Sequence, residues 1–271
     1  MSHFDIGELT VLSELGSGAG SRVFHVRRWA DGAEYALKVV SCDRHADRRY
    51  ADQLRNEYRI GSMLDHPNLV KIHAFELSRD WLFRPRTVRL LTELVPGQAL
   101  SRLPALPLES AIRVFERTAA ALAHMHSRGV FHADLKPDNL VYDRATGVKV
   151  IDYGLARVAR ERPPRVQGTP QYMAPETAAT RIVNVGTDIY NLGATMYHVV
   201  TRSPLAPMVL GLPLTPRAHA ARIKAVAALT PGAPQGLCDL IHQCLSYSPD
   251  HRPESAGAVR GALVRLVRES G

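Results

Sequence analysis

The sequence predicts an α+β chain with a small strand-rich N-terminal part carrying one main helix and a larger, mostly helical C-terminal part. Three observations carry this. Residues 9–41 alternate apolar and polar with the period of strands, Pro96–Gly97 interrupts the chain, and from residue 108 onward the apolar positions recur at helical spacing.

The strand signal in 9–41 is broken by turn residues at the Gly cluster 16–20 and at Asp31–Gly32, which predicts three strands. A polar helical stretch follows at about 47–64 and ends at Asp65-His66-Pro67-Asn68. Two further strands are expected near 69–78 and 86–95, completing five. Beyond Pro96–Gly97, residues 108–127 place Ile112, Phe115, Ala119, Leu122 and Met125 on one helical face. Short strands at 140–142 and 148–151 flank the turn Asp143–Gly147. Helices are expected near 186–201, 218–228, 235–245 and 255–268, and the proline-bearing stretch 203–216 reads as an ordered loop.

With 271 residues, 45% of them hydrophobic and 22% charged, the chain can bury a substantial core. The formal net charge of +8 comes from scattered arginines without an uninterrupted basic run, so no nucleic-acid partner is expected. Three cysteines without a C-x-x-C pair argue against a disulfide scaffold and fit a reducing compartment. No apolar stretch approaches the length of a membrane span, and MSHFDIGELT lacks the core of a signal peptide, so a cytoplasmic location is expected.

Leu15-Gly16-Ser17-Gly18-Ala19-Gly20-Ser21-Arg22-Val23 lies between two expected strands. Glycines there would let backbone N–H groups approach phosphate oxygens, although an ordinary turn has the same composition. Lys38 sits in the apolar strand Tyr35-Ala36-Leu37-Lys38, where an ammonium is costly without an anion, and Glu57 follows on the helical stretch. Only five of the 34 basic residues are Lys, so keeping Lys38, and Lys136 farther along the chain, hints at a need for a point charge on a flexible stem.

This combination resembles the protein kinase family, and the resemblance covers about residues 9–266. It implies a bilobal protein kinase fold with an N-lobe at 9–93, a hinge at 94–98 and a C-lobe at 99–266. It also implies that Lys38 holds the ATP phosphates and is oriented by Glu57. The strongest segment is His132-Ala133-Asp134-Leu135-Lys136-Pro137-Asp138-Asn139, followed by Asp152-Tyr153-Gly154. Phosphoryl transfer needs a carboxylate at the attacking hydroxyl, a cation near the γ-phosphate and oxygen ligands for Mg²⁺. Asp134, Lys136 and Asn139 supply these in that order, and Asp152 supplies the main Mg²⁺ carboxylate. By resemblance, Gly16, Gly18 and Lys38 hold phosphates, Val23 and Ala36 cover the adenine, and Leu15 is a further nucleotide-binding residue at the start of the loop. Thr92 is the gatekeeper, and Glu93, Leu94 and Val95 form the hinge.

Gly168-Thr169-Pro170 through Ala174-Pro175-Glu176 resembles the family's substrate segment. Asp188 resembles its brace for the catalytic loop, and Arg252 matches the arginine that pairs with Glu176. Lys136-Pro137 and Thr169 resemble the Ser/Thr-directed branch, which implies protein substrates with Ser or Thr acceptors. Arg157, Arg160, Arg162 and Arg165 make the activation segment basic. That describes either a solvated loop or a surface favouring acidic residues near the target hydroxyl.

Four departures from the family stand out. Ser21 holds the third glycine position, and Gly20 replaces an aromatic, so the loop loses an apolar flap. Ala133 replaces the arginine before the catalytic Asp, and no Ser or Thr lies between Asp152 and Gly168, so control by activation-loop phosphorylation is not expected. Tyr153 replaces a Phe and brings a hydroxyl that needs a partner if buried. Gly61 replaces a large apolar residue and leaves either a small void or room for Tyr153. Two rivals remain on the residues alone. A nucleotide-binding scaffold would lack metal-dependent ATP turnover, and small-molecule phosphotransferases usually lack the Gly-Thr-Pro to Ala-Pro-Glu segment and an equivalent of Arg252.

Overall fold

The computed structural model describes residues 6–18, 20–42, 48–79, 81–82, 85–161, 165–209 and 214–269. Ala19 and Arg162, named above, and residues 210–213 of the proline-bearing stretch lie outside the described residues. The chain divides into two compact units. The first holds the described residues up to Asp65, Leu69–Val95 and Asp152–Gly154, and the second holds His66–Asn68, Pro96–Ile151 and the described residues from Leu155.

In the first unit, β1 (Leu9–Ser17), β2 (Arg22–Arg28) and β3 (Glu34–Ser41) precede helix α1 (Arg48–Gly61), and β4 (Ile72–Arg79) and β5 (Pro85–Glu93) follow it. The five strands form one antiparallel sheet in the order β1-β2-β3-β5-β4. Strand periodicity divides its two faces. Val26, Tyr35, Leu37, Ala74 and Leu91 pack one apolar cluster together with Ile6. Val40, Val88 and Leu90 form another with Leu54 of α1, so the helix covers that face. Register puts Val23 opposite Lys38, Ala36 opposite Thr92 and Lys38 opposite Leu90, which places Val23, Ala36, Lys38 and Thr92 on the α1-covered face.

The second unit contains β6 (Gln98–Ala99), α2 (Leu108–Ser127), β7 (Val130–Phe131), β8 (Leu140–Asp143), β9 (Gly147–Val150) and β10 (Arg157–Val158). Helices α3 (Pro175–Thr180), α4 (Val185–Thr201), α5 (Pro216–Ala220), α6 (Val226–Leu229), α7 (Gln235–Cys244) and α8 (Ala256–Glu269) complete it. Helix α4 is buried on nearly every side and starts with a capping box between Asn184 and Thr187. Gly193 lets α7 approach, since a Cβ there would lie 2.6 Å from Cys244 Cβ.

A small antiparallel sheet with one helix, together with a mostly helical unit, is the fold class expected from the sequence. Three readings change. The helix expected at 218–228 is two short helices. The Lys224 N–H donates to Tyr197 Oη at 3.3 Å and the Val226 N–H to His242 Nε2 at 3.2 Å, so tertiary partners take donors that a continuous helix would keep. Helix α3 was not expected, because six residues are too few to show a period. The proline-bearing stretch yields its last residue, Pro216, to the first turn of α5. Among the described residues, no helix is long and apolar enough to cross a membrane.

Candidate active site

In the first unit, β3 presents Lys38 to α1. Its Nζ lies 2.9 Å from Glu57 Oε2 and 3.7 Å from Asp152 Oδ2. Glu57 is buried. Burial pushes its carboxyl up to about 7 against the pull of Lys38. Desolvation also works against the Lys38 ammonium, but Asp152 and Glu57 outweigh it and hold its pKa above the ordinary lysine value. Asp152 Oδ1 accepts the Gly154 N–H at 2.8 Å. Asn56, which the sequence reading missed, donates to the carbonyls of Tyr153 and Gly154 at 3.4 and 3.1 Å, so α1 grips the Asp152 segment from the residue beside Glu57.

The buried Tyr153 hydroxyl donates to the Val70 carbonyl at 3.1 Å. The space beside Gly61 is neither void nor filled by Tyr153, because a Cβ there would meet Ile72 Cδ1 at 2.4 Å. Ile72 thus supplies from β4 the bulk that residue 61 lacks.

Leu15 is exposed on β1, and Gly16 pairs with Val23 across the loop. A Cβ at Gly16 would meet nothing within 4 Å, and one at Gly18 would meet only Ser21 Oγ at 3.9 Å, so open space lies beside this backbone. The Gly18 N–H closes the turn onto the Ser21 carbonyl at 2.8 Å. At the end of β5, the Thr92 hydroxyl donates to the Glu93 carbonyl at 3.2 Å and the Glu93 N–H donates to the Lys71 carbonyl at 2.9 Å. Half-buried Val95 follows.

In the second unit, Asp134, Lys136 and Thr169 converge. Asp134 Oδ1 accepts the Thr169 N–H at 2.8 Å and its hydroxyl at 2.9 Å. Lys136 Nζ donates to Asp134 Oδ2 at 3.0 Å and to Thr169 Oγ1 at 2.8 Å. Gly168, at φ 121°, turns the chain so that Thr169 reaches Asp134; a side chain would resist this conformation. Asn139 Nδ2 donates to the Asp134 carbonyl at 2.9 Å, which turns its amide oxygen away from that bond.

Asp188, fully buried on α4, accepts the backbone N–H groups of His132 and Ala133, each at 2.8 Å, and lies 2.9 Å from His126 Nε2. Ala133 is held at φ 68°, a left-handed conformation costly for a residue with a Cβ. His126 is a second residue that the sequence reading missed, since nothing in its local pattern separates it from an ordinary helix-end histidine. Arg252 meets Glu176 through two bonds of 2.7 and 2.9 Å and also donates to the Gly186, Ser246 and Tyr247 carbonyls.

The donors suit a hard cation. The Asn139 amide oxygen and the half-exposed Asp152 carboxylate are oxygen ligands of the kind Mg²⁺ takes. Among the described residues, no group of three or more His, Cys, Asp or Glu side chains could hold a metal by itself.

The family model described as "Protein kinase domain" matches residues 9–262. The chain belongs to the protein kinase domain family. It is 34% identical over 205 residues to a cAMP-dependent protein kinase catalytic subunit-like protein of Caenorhabditis elegans, covering 74% of this chain and 50% of that one. It is 30% identical over 272 residues to the serine/threonine-protein kinase pkn2 of Myxococcus xanthus, covering 95% of this kinase chain and 32% of that one. With the PknA kinase of Mycobacterium tuberculosis it shares 33% over 178 residues, which is 63% of this chain and 41% of that one. The chain thus spans about half the length, or less, of these curated relatives.

Proposed function

We propose that this kinase domain transfers the γ-phosphoryl group of ATP to Ser or Thr hydroxyls of protein substrates. The observation that carries the reading is the Asp134–Lys136–Thr169 cluster, where a hydroxyl oxygen already lies within hydrogen-bond reach of both a carboxylate and an ammonium. An acceptor hydroxyl in the same relation would give its proton to Asp134 as its oxygen bonds to the γ-phosphorus and ADP departs. Lys136 would offset charge on the transferring group. Lys38, oriented by Glu57, would hold the nucleotide phosphates, with the open backbone of Gly16 and Gly18 beside them. Val23 and Ala36 would cover the adenine, with Thr92, Glu93 and Val95 at its edge and Leu15 a further nucleotide contact. A Mg²⁺ held by Asn139 and Asp152 would neutralise phosphate charge.

The same reading extends to regulation and specificity. Ala133 has no cation to offer a phosphate, and the segment after Asp152 has other supports. Strand β10 pairs with β7, the Ala159 N–H donates to the Gly129 carbonyl at 2.7 Å, and Arg157 donates to Gln167 at 2.5 Å. These supports favour activity that does not wait for activation-loop phosphorylation. Arg157 is engaged internally, which leaves exposed Arg160 and Arg165 as the described cations that would favour acidic residues near the acceptor.

The test is Mg²⁺-dependent transfer from ATP to a general protein substrate. Asp152→Asn and Lys38→Met should each lower the rate by about a thousandfold or more while the protein stays folded at the assay temperature. A near wild-type rate in either variant would overturn the assignment.

A further inference from the structure

The glycine loop carries no aromatic side chain of its own at position 20, yet an aromatic ring occupies that place. A Cβ built on Gly20 would lie 2.1, 2.3 and 2.5 Å from Cδ2, Cε2 and Cγ of Tyr50. The ring is therefore packed against the loop backbone, closer than any side chain at position 20 would permit. Tyr50 is in the first turn of α1 and also packs against the apolar cluster of Val40, Leu54, Val88 and Leu90 that seats the helix on the sheet. The Arg49 guanidinium lies over its ring at 4.5 Å and donates to its hydroxyl at 2.5 Å.

Helical spacing sharpens the relationship. Tyr50, Leu54, Glu57 and Gly61 fall at steps of four, three and four residues, so they form one stripe along α1. The stripe therefore touches the glycine loop through Tyr50, the sheet core through Leu54, Lys38 through Glu57 and Ile72 through Gly61. One rigid element thus sets both the loop backbone and the lysine.

We infer that Tyr50 is the positioning residue of the glycine loop, supplying from α1 the apolar support that Gly20 lacks and tying the loop's conformation to the docking of α1. This rests on the reading of the loop as a nucleotide phosphate site. It makes Gly20 and Tyr50 a complementary pair, because the glycine is required only while the ring is present. Docking of α1 would then organise the loop and the Lys38–Glu57 pair in one movement.

The experiment is a double-mutant cycle on KM for ATP and kcat, with Kd for MgADP measured by calorimetry. Tyr50→Ala should raise KM and Kd about tenfold while kcat changes less than twofold, and Tyr50→Phe, which keeps the ring, should recover most of the lost affinity. Gly20→Ala should weaken binding at least as much as Tyr50→Ala in the wild-type background and add nothing in the Tyr50→Ala background. Wild-type affinity in Tyr50→Ala, or additive effects in the double variant, would overturn the inference alone. Failure of the wild-type protein to bind MgADP would instead overturn the phosphate-site reading on which it stands.

Discussion

Arg252 closes a two-bond pair on Glu176, with its terminal nitrogens 2.7 and 2.9 Å from the two carboxylate oxygens. The guanidinium is fully buried and stacks 5.0 Å over the Tyr190 ring, and three carbonyls take its remaining hydrogens. A buried cation satisfied this completely is harmless, but its partner left alone is not. Arg252→Met should cost about 3–5 kcal/mol in urea unfolding. Glu176→Gln combined with Arg252→Met should cost less than the sum of the single changes, because the second substitution removes the charge that the first strands.

The raised pKa of Glu57 predicts a pH dependence of opposite sign for activity and for stability. Pairing with Lys38 requires the carboxylate, which takes up a proton as pH falls through about 7. kcat/KM for ATP should therefore fall roughly tenfold from pH 8 to pH 6, with a flatter profile in Glu57→Gln. Because the folded pKa lies above the ordinary value of 4.5, the proton is held more tightly in the folded state. That contribution to stability is present below 4.5 and is lost as pH rises through 7.

His219 behaves in the opposite sense. It is buried, with Nε2 3.1 Å from the Tyr190 hydroxyl, and burial lowers its pKa from 6.5 to about 4. Its contribution is intact above 6.5 and is lost as pH falls toward 4, amounting to roughly 3 kcal/mol at most. Urea unfolding at pH 7 and pH 4.5 should show a smaller loss in His219→Gln than in the wild-type protein. An equal loss in both would remove His219 from the account.

Much of the fold is legible in the sequence because its elements repeat their own signal. The alternation in β1 to β3 and the 3.6-residue spacing of α2 each span enough residues to be read. Helix α3 is too short to do so, and the break between α5 and α6 depends on Tyr197 and His242, which no local window contains. The same limit applies at the site. Lys38 and Glu57 stand out because a strand lysine needs an anion, whereas Asn56, His126 and Tyr50 act on backbone or on a missing side chain. Gly20 and Gly61 read as deficits in the sequence, yet each is filled by a side chain from another element, Tyr50 and Ile72.

Ala133 carries the regulatory prediction. With no arginine at this position and no Ser or Thr between Asp152 and Gly168, phosphatase treatment should leave specific activity within about twofold of its starting value. A tenfold loss restored by rephosphorylation would contradict this. Ala133→Gly should meanwhile stabilise the second unit by about 1 kcal/mol, since glycine adopts φ 68° without a Cβ penalty.

In the proposed function, Asp134 and Lys136 direct phosphoryl transfer to an aliphatic hydroxyl. Phosphoamino-acid analysis of a general protein substrate, labelled with ATP by the wild-type domain and by Asp134→Asn, tests it most directly. Phosphoserine or phosphothreonine is expected from the wild type, and a loss of about a thousandfold or more in the variant. Predominant phosphotyrosine, or undiminished labelling by Asp134→Asn, would contradict it.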